Sequence, residues 1–414
     1  MLKKNFSKKI YENRFFFYFF LIFIIYYFFN FNLSNETFAT DYQVRYKPNG
    51  NNIVNILKNL QLFNLDLSFF LKSEYKFLNP YLIPELITGL ILNLTPNEKI
   101  FSIYSNILNI VILFLSFYIF FKTLDIINKD KIIFFFLIFF FSYIANWIWC
   151  FWKLADVYFL FIFSIIFFYT SEGISKSKIS YIIYSFIFCI ISIFTKPQGV
   201  IMFPFLLISF FTLYYKKKIN FLNFIIISII IYFLFFPLLV FFLQKINYNG
   251  PLEIFVHFMS KGYISGTIFY RFEDFQKQLN LSEGNFTLLF YYYILFLKKI
   301  IYQLIFLRET YSLRHNIFLI FYVSIFYFFL FINFNYLVKK YSLFFKLTII
   351  ITMLSILLHS SLNTADEPNR HQLFMLVPLY VLVSISFKKW VKKFKIFENF
   401  FLKFRLSNYS KFKK

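Results

Sequence analysis

The sequence predicts an all-α, multi-pass helical membrane protein with about ten transmembrane helices. Of its 414 residues, 60% are hydrophobic, 72 are Phe and only 15% are charged. A soluble protein of this size carries roughly a quarter charged residues, and no soluble core can absorb so much aromatic surface. Apolar runs of about 18 residues recur along the chain, which is typical of transmembrane helices. The composition therefore excludes a soluble enzyme, a secreted scaffold and a disordered chain.

Ten apolar segments are predicted to cross the membrane. The first follows a basic N-terminus and exceeds the 7–15 apolar residues, roughly, of a cleaved signal peptide. We therefore predict that it is retained as a span. The predicted spans are 15–33, 100–121, 132–149, 154–170, 179–194, 199–215, 219–243, 316–337, 347–361 and 371–387.

The placement of basic residues predicts that both termini are cytoplasmic. With the N-terminus inside, cytoplasmic segments hold more than half of the 43 Lys and Arg residues but only about a quarter of the 19 acidic residues. Residues 1–387 then form one membrane domain with large outer loops at 34–99 and 244–315, and residues 388–414 form a basic cytoplasmic tail. The net charge of +24 follows from this topology, so the expected partners are membrane lipids and not nucleic acid.

Residues 287–307 form an apolar segment that we predict to lie on the outer surface. Lys298 and Lys299 occupy its middle, and two adjacent charges at the bilayer centre would cost several kcal/mol. The segment is therefore predicted to be an outer-surface amphipathic helix.

Charged residues are almost absent from the predicted spans and cluster at their outer ends. Asp41 lies a few residues beyond the first span, where a carboxylate can act as general base on an acceptor hydroxyl or can simply be solvated. Lys196, in a short turn with Pro197 and Gly199, can meet a phosphate or can snorkel to the headgroups.

Arg370 begins the last predicted span on its outer side. Its guanidinium can bind a phosphate through two hydrogen bonds, and His371 can add a donor. Alternatively, Asp366, Glu367 and Arg370 neutralise one another. No cluster of His, Cys and carboxylate residues has the spacing of metal ligands, so neither a metal nor a cofactor is predicted.

Five motifs, taken in order, resemble those of the integral-membrane glycosyltransferases of the GT-C type. They comprise an acidic residue after the first span, a proline segment, a second acidic position, a short Lys-Pro turn and a late Glu/Arg element. In this chain they are Asp41, Asn79-Pro-Tyr-Leu-Ile-Pro84, Lys153-Leu-Ala-Asp156, Thr195-Lys-Pro-Gln-Gly199 and Glu367-Pro-Asn-Arg370.

The resemblance implies transfer of a sugar from a polyprenyl-phosphate carrier to a lipid-, glycan- or protein-borne acceptor. The reaction would take place, with inversion, at the periplasmic face of a bacterial inner membrane. Asp41 would be the catalytic base, and Lys196 and Arg370 would hold the departing lipid phosphate. The expected substrate-binding set is completed by Asp156, Arg45 and His371.

Two other functional classes stay open, besides a purely structural membrane protein. A flippase or transporter of lipid-linked oligosaccharides would need a polar path through the bilayer, and the lack of charges within the spans counts against it. An O-antigen polymerase or ligase usually presents a large late outer loop with arginines. The loop 244–315 contains Arg271, Arg308 and Arg314, so it fits that pattern as well.

Overall fold

A computed structural model gives the conformation of about half of the chain. It describes residue 43 and residues 46–61, 81–127, 155–215, 297, 300–301, 303–305, 313–362 and 373–393. Every element among these residues is a helix, which confirms the predicted all-α class.

The described helices belong to two compact units, the first drawn from 1–124 and 147–206 and the second from 125–146 and 207–414. Helices α3 and α6 each run across a boundary between them. In chain order the helices up to residue 215 are α1 (Lys47–Gln61), α2 (Leu82–Leu94), α3 (Glu98–Ile127), α4 (Asp156–Lys176), α5 (Ile179–Ile193), a 3-10 turn (Pro197–Ile201) and α6 (Met202–Tyr215). Later helices are α7 (Leu313–Ile332), α8 (Phe334–Lys340), α9 (Ser342–Leu362) and α10 (Leu373–Lys393).

Among the described residues, three helices are long and apolar enough to cross a membrane. They are Glu98–Phe120, Asp156–Lys176 and Phe374–Val391, and a fourth candidate is the bent pair Asn316–Ile332 and Phe334–Lys340. Four further apolar helices are shorter: Leu82–Leu94, Ile179–Ile193, Met202–Thr212 and Ser342–Leu357. The predicted spans 15–33, 132–149 and 219–243 lie outside the described residues, as does most of the segment 287–307.

In the first unit, aromatic and hydroxyl side chains hold α3, α4 and α5 together. The ring of Phe120 on α3 lies 5.7 Å from that of Phe163 and 5.8 Å from that of Phe167, both on α4. The hydroxyls of Thr170 on α4 and Ser185 on α5 are 2.8 Å apart. Two residues connect α4 to α5, so the helices form an antiparallel hairpin and the start of α4 lies beside the end of α5.

In the second unit, α7 and α10 pack through aromatic side chains near the end of α10. The ring of Phe329 lies 4.6 Å from that of Phe387 and 5.5 Å from that of Trp390. The outward side of α7 is also apolar, with exposed side chains recurring every three or four residues at Ile317, Phe321, Ile325, Phe328 and Phe331. A face of this kind suits contact with lipid.

Within the predicted span 316–337 the helix is broken at Asn333, so the segment is a bent pair of helices. The axes of α7 and α8 differ by 57° at this point. The buried Asn333 Nδ2 donates hydrogen bonds to the carbonyl oxygen of Ser386, at 3.1 Å, and to its Oγ, at 3.0 Å. Ser386 is 53 residues away in the chain, so no local sequence pattern predicts the break.

Candidate functional site

Asp156 and Lys196, two of the predicted site residues, form a buried ion pair. Lys196 Nζ donates to Asp156 Oδ1, and the two side chains are only 5% and 1% exposed. Asp156 is the first residue of α4, and Lys196 lies between α5 and the 3-10 turn. Removing one member of such a pair leaves an uncompensated buried charge, so the partners depend on each other.

A tight turn after α5 fixes the position of Lys196. The backbone N–H groups of Thr195 and Lys196 donate to the carbonyl of Ser192, at 3.2 and 3.0 Å. The N–H of Gly199 then donates to the carbonyl of Lys196, at 2.8 Å. A Cβ at Gly199 would come within 2.4 Å of the backbone of Ser192, so only glycine fits there. The tight connection that the sequence predicts around Pro197 and Gly199 is thus present.

Helix α2 packs against the end of α5 and carries a third buried charged residue, Glu85. The N–H of Ile83 donates to the carbonyl of Phe194 at 3.1 Å, which places the first turn of α2 against the end of α5. Glu85 is buried and accepts a hydrogen bond from Asn49 Nδ2, at 2.9 Å from its Oε1. Its place in the first helical turn is favourable for a carboxylate, because the helix dipole is positive there.

Sequence reasoning missed Glu85 as a candidate, although a signal was present. The residue follows the Asn-Pro-Tyr-Leu-Ile-Pro segment and begins an otherwise apolar run. A carboxylate at the head of such a run, directly after Pro84 in a first helical turn, is a position that deserves the same weight as Asp41. Its burial against Asn49 depends on a contact 36 residues away, which the sequence does not reveal.

Two glycines allow α1 to approach α2 and so position Asn49. A Cβ at Gly89 would lie 2.4 Å from the carbonyl oxygen of Gly50, and a Cβ at Gly50 would lie 2.8 Å from the backbone nitrogen of Gly89. The helices therefore touch backbone to backbone at this crossing. Asn49 precedes Gly50, so the close approach carries its amide to Glu85.

The first half of α3 adds a buried polar face to the same unit. Lys47 of α1 and Glu98 of α3 form an ion pair, which joins the starts of the two helices. Beyond it, four buried polar residues share one side of α3 because they recur every three or four positions: Ser102, Ser105, Asn106 and Asn109. Further along, the hydroxyls of Ser116 and Thr123 donate to carbonyls one turn earlier, at 2.8 and 3.0 Å.

The other predicted site residues lie outside the described residues. These are the proposed base Asp41 together with Arg45, Arg370 and His371. Within the part of the chain that the structure describes, no three His, Cys, Asp or Glu side chains come together as a metal centre would require.

Known proteins offer no match from which a function could be inferred, so function is inferred from the geometry of the site. No protein family matches the chain, and neither a characterised protein nor a solved structure does.

The arrangement places an ammonium group, paired with a carboxylate, at the ends of two apolar helices. The Asp156 carboxylate compensates the charge of Lys196, which would be costly to bury alone. Electrostatic interactions with that ammonium are stronger than in water, because the surroundings have a low effective dielectric constant. The buried Ser and Asn side chains of α3 supply donors and acceptors of the kind that bind sugar hydroxyls.

Proposed function

We propose that this protein is an integral-membrane glycosyltransferase that moves a sugar from a polyprenyl-phosphate carrier to an acceptor hydroxyl. In this proposal the chain has ten spans in a bacterial inner membrane, both termini are cytoplasmic, and the reaction takes place on the periplasmic side. The acceptor is borne by a lipid, a glycan or a protein. The observation that carries the proposal is the buried Asp156–Lys196 pair at adjoining helix ends.

Lys196 would stabilise the phosphate that leaves with the lipid. Negative charge on this phosphate grows as the bond to the sugar breaks, and a fixed cation in a dry site lowers the barrier most when it faces developing charge. Asp156 contacts the lysine, so in this proposal it acts by holding Lys196 and not by binding sugar hydroxyls itself. This differs from the role that the resemblance implies for the second acidic position.

The remaining steps rest on residues that stay predictions. Asp41 takes the proton of the acceptor hydroxyl, and the oxygen attacks the anomeric carbon from the side opposite the phosphate. The new glycosidic bond forms as the bond between the anomeric carbon and the phosphate oxygen breaks, with inversion. Arg370 shares the leaving phosphate with Lys196, while Arg45 and His371 bind the substrate. Hydroxyls of the sugar would meet the polar face of α3.

A variant that removes both charges of the pair gives the sharpest test. Breaking a buried ion pair on one side destabilises by about 3–5 kcal/mol, whereas replacing both partners is often tolerated. We therefore expect Asp156→Asn/Lys196→Gln to fold and yet to transfer sugar about a hundredfold more slowly or worse. The assay follows radiolabel from a panel of polyprenyl-phosphate sugars to membrane extracts, with and without the protein.

The matched control is the pair Glu172 and Lys176, at the other end of α4. The variant Glu172→Gln/Lys176→Gln likewise removes one carboxylate and one ammonium, here from the other end of α4, so it should retain transfer. Near wild-type transfer by Asp156→Asn/Lys196→Gln would show that the buried pair is structural only. If the wild type transfers sugar from none of the donors, the proposed function is contradicted.

The buried polar face of α3 favours one second candidate, a carrier for lipid-linked oligosaccharides. Ser102, Asn106 and Asn109 place polar groups inside an apolar helix that is long enough to cross the membrane, and carriers need polar groups at such depth. The two functions differ in their products. A carrier moves a labelled lipid to the other leaflet of a vesicle without forming a glycosidic bond, whereas a transferase forms that bond.

A further inference from the structure

Two lysines in the second unit converge on a single tyrosine. Lys389 Nζ, from α10, lies 3.7 Å from the centroid of the Tyr336 ring on α8. Lys340 Nζ, also on α8, lies 5.4 Å from the same centroid and 3.2 Å from the Tyr336 hydroxyl oxygen, to which it donates. We call Tyr336, Lys340 and Lys389 the Tyr336 cluster. Its two ammonium groups come from different helices, so the fold itself brings them together.

No acidic residue balances these cations in the described segments of the second unit that surround them. Residues 313–362 and 373–393 contain neither Asp nor Glu, while Lys339, Lys340, Lys346, Lys388 and Lys389 are all present. The electron-rich face of a tyrosine ring attracts an ammonium group but does not cancel its charge. Two like charges gathered on one ring repel each other, so the cluster is built to attract an anion.

Exposed aromatic side chains precede Tyr336 in the chain, on α7 and at the start of α8. Phe331, at the end of α7, and Phe334, at the start of α8, are both exposed, and their ring centroids lie 6.3 Å apart. Phe334 is two residues from Tyr336, and Phe328 continues the exposed face one turn back along α7. A free phosphate would use only the lysines. An anion that carries acyl chains would cover the exposed aromatic rings as well.

We infer that the Tyr336 cluster binds the phosphate of an anionic phospholipid, with acyl chains against Phe328, Phe331 and Phe334. Lys389 lies 16 residues after the first residue of α10, which is about 24 Å along the helix. Arg370 precedes that first residue. The lipid site is therefore near the opposite end of α10 from Arg370, and it would engage the other leaflet from the one in which sugar transfer is proposed. The inference does not depend on the proposed function.

Native mass spectrometry of the full-length protein in neutral detergent provides the test. Phosphatidylglycerol, which is anionic, is titrated against phosphatidylcholine, which has a phosphate but no net charge. We expect the wild type to bind the anionic lipid more tightly. Lys340→Gln/Lys389→Gln should weaken that preference by about fivefold for each lysine. Lys346→Gln removes an exposed lysine of α9 outside the cluster and should leave the preference unchanged.

Three results would overturn the inference. They are equal binding of the two lipids by the wild type, unchanged preference in the double variant, and equal loss in Lys346→Gln. Competition by soluble glycerol phosphate as effective as that by the lipid would identify a site for a free anion instead. If the double variant does not fold, Lys340→Gln alone changes an exposed side chain and should still show about a fivefold loss.

Discussion

At the scale of single residues, the proposed reaction depends most on Asp41. An acceptor hydroxyl is a poor nucleophile while it keeps its proton, and a positioned base contributes about 10²–10⁴ in rate. Asp41→Asn keeps the shape but removes the basicity. We expect the variant to insert into the membrane, to bind the polyprenyl-phosphate donor and to transfer sugar at least about a hundredfold more slowly.

Two other acidic residues of the same predicted loop are the controls for Asp41. Asp66→Asn and Glu74→Gln make the equivalent change further along the chain and should have far smaller effects on transfer. Near wild-type transfer by Asp41→Asn would assign the base to another residue. The buried Glu85 would then be the next carboxylate to test, because its helix α2 contacts the end of α5, two residues before Lys196.

Glu85 also makes a prediction about stability. Glu85→Gln retains an oxygen that can accept the hydrogen bond from Asn49. Glu85→Ala removes the hydrogen bond from the half-buried Asn49 amide to a charged group, which is worth about 1.5–3 kcal/mol. In detergent, the thermal unfolding midpoint should therefore fall clearly for the alanine variant and little for the glutamine variant. Equal losses in both would show that the charge of Glu85, and not its hydrogen bond, stabilises the fold.

At the scale of helices, the close crossing of α1 and α2 should not tolerate a single methyl group. In Gly89→Ala the new Cβ would meet the carbonyl oxygen of Gly50 at 2.4 Å, and backbone atoms cannot rotate away. The two helices must separate, which would also stretch the hydrogen bond between Asn49 and Glu85. We expect a loss of about 1–3 kcal/mol in stability, measured by thermal unfolding.

Gly173→Ala is the matched control for this crossing. Its Cβ would meet Cγ1 of Ile182 at 2.6 Å, but this neighbour belongs to a side chain that can change rotamer. The loss of stability should therefore be smaller than for Gly89→Ala. A larger loss of stability at Gly173 would mean that the α4–α5 hairpin tolerates an added methyl group less well than the α1–α2 crossing does.

Helices were predictable where apolar runs are long and uninterrupted. The predicted spans 100–121 and 371–387 correspond to α3 and α10, and their ends differ by a few residues because polar flanking residues continue each helix. The break at Asn333 was not predictable, because the hydrogen bonds that stabilise it reach a distant part of the chain. The close crossing at Gly50 and Gly89 was missed for the same reason.

The candidate site was predictable in its residue types but not in its pairing. Asp156 and Lys196 each stood out as a charge beside an apolar run. Their contact follows from the α4–α5 hairpin, whose geometry is decided by packing and by the left-handed conformation of Ser177 at the end of α4. From the sequence alone, Lys196 was therefore predicted to contact a phosphate or the lipid headgroups, and its contact with a carboxylate was not predicted.

At the scale of the whole molecule, the proposed topology makes a direct prediction. Ten spans with a cytoplasmic N-terminus place the C-terminus in the cytoplasm, as the basic residues after 388 also favour. A phosphatase that is active only in the periplasm should therefore be inactive when fused to the C-terminus. The same enzyme fused within the predicted outer loop 244–315 should be active. An active C-terminal fusion would contradict an even number of spans.

The 57° bend at Asn333 also limits the length of the straight apolar helix that ends there. As a membrane span, the 20 residues of α7 extend about 30 Å, which equals the thickness of the hydrocarbon layer. A straight helix continued to Lys340 would be about 42 Å long and would not match that layer. Because the chain turns instead, α8 can follow the bilayer surface. Changes in bilayer thickness would then be absorbed at this joint and not by tilting α7 against α10.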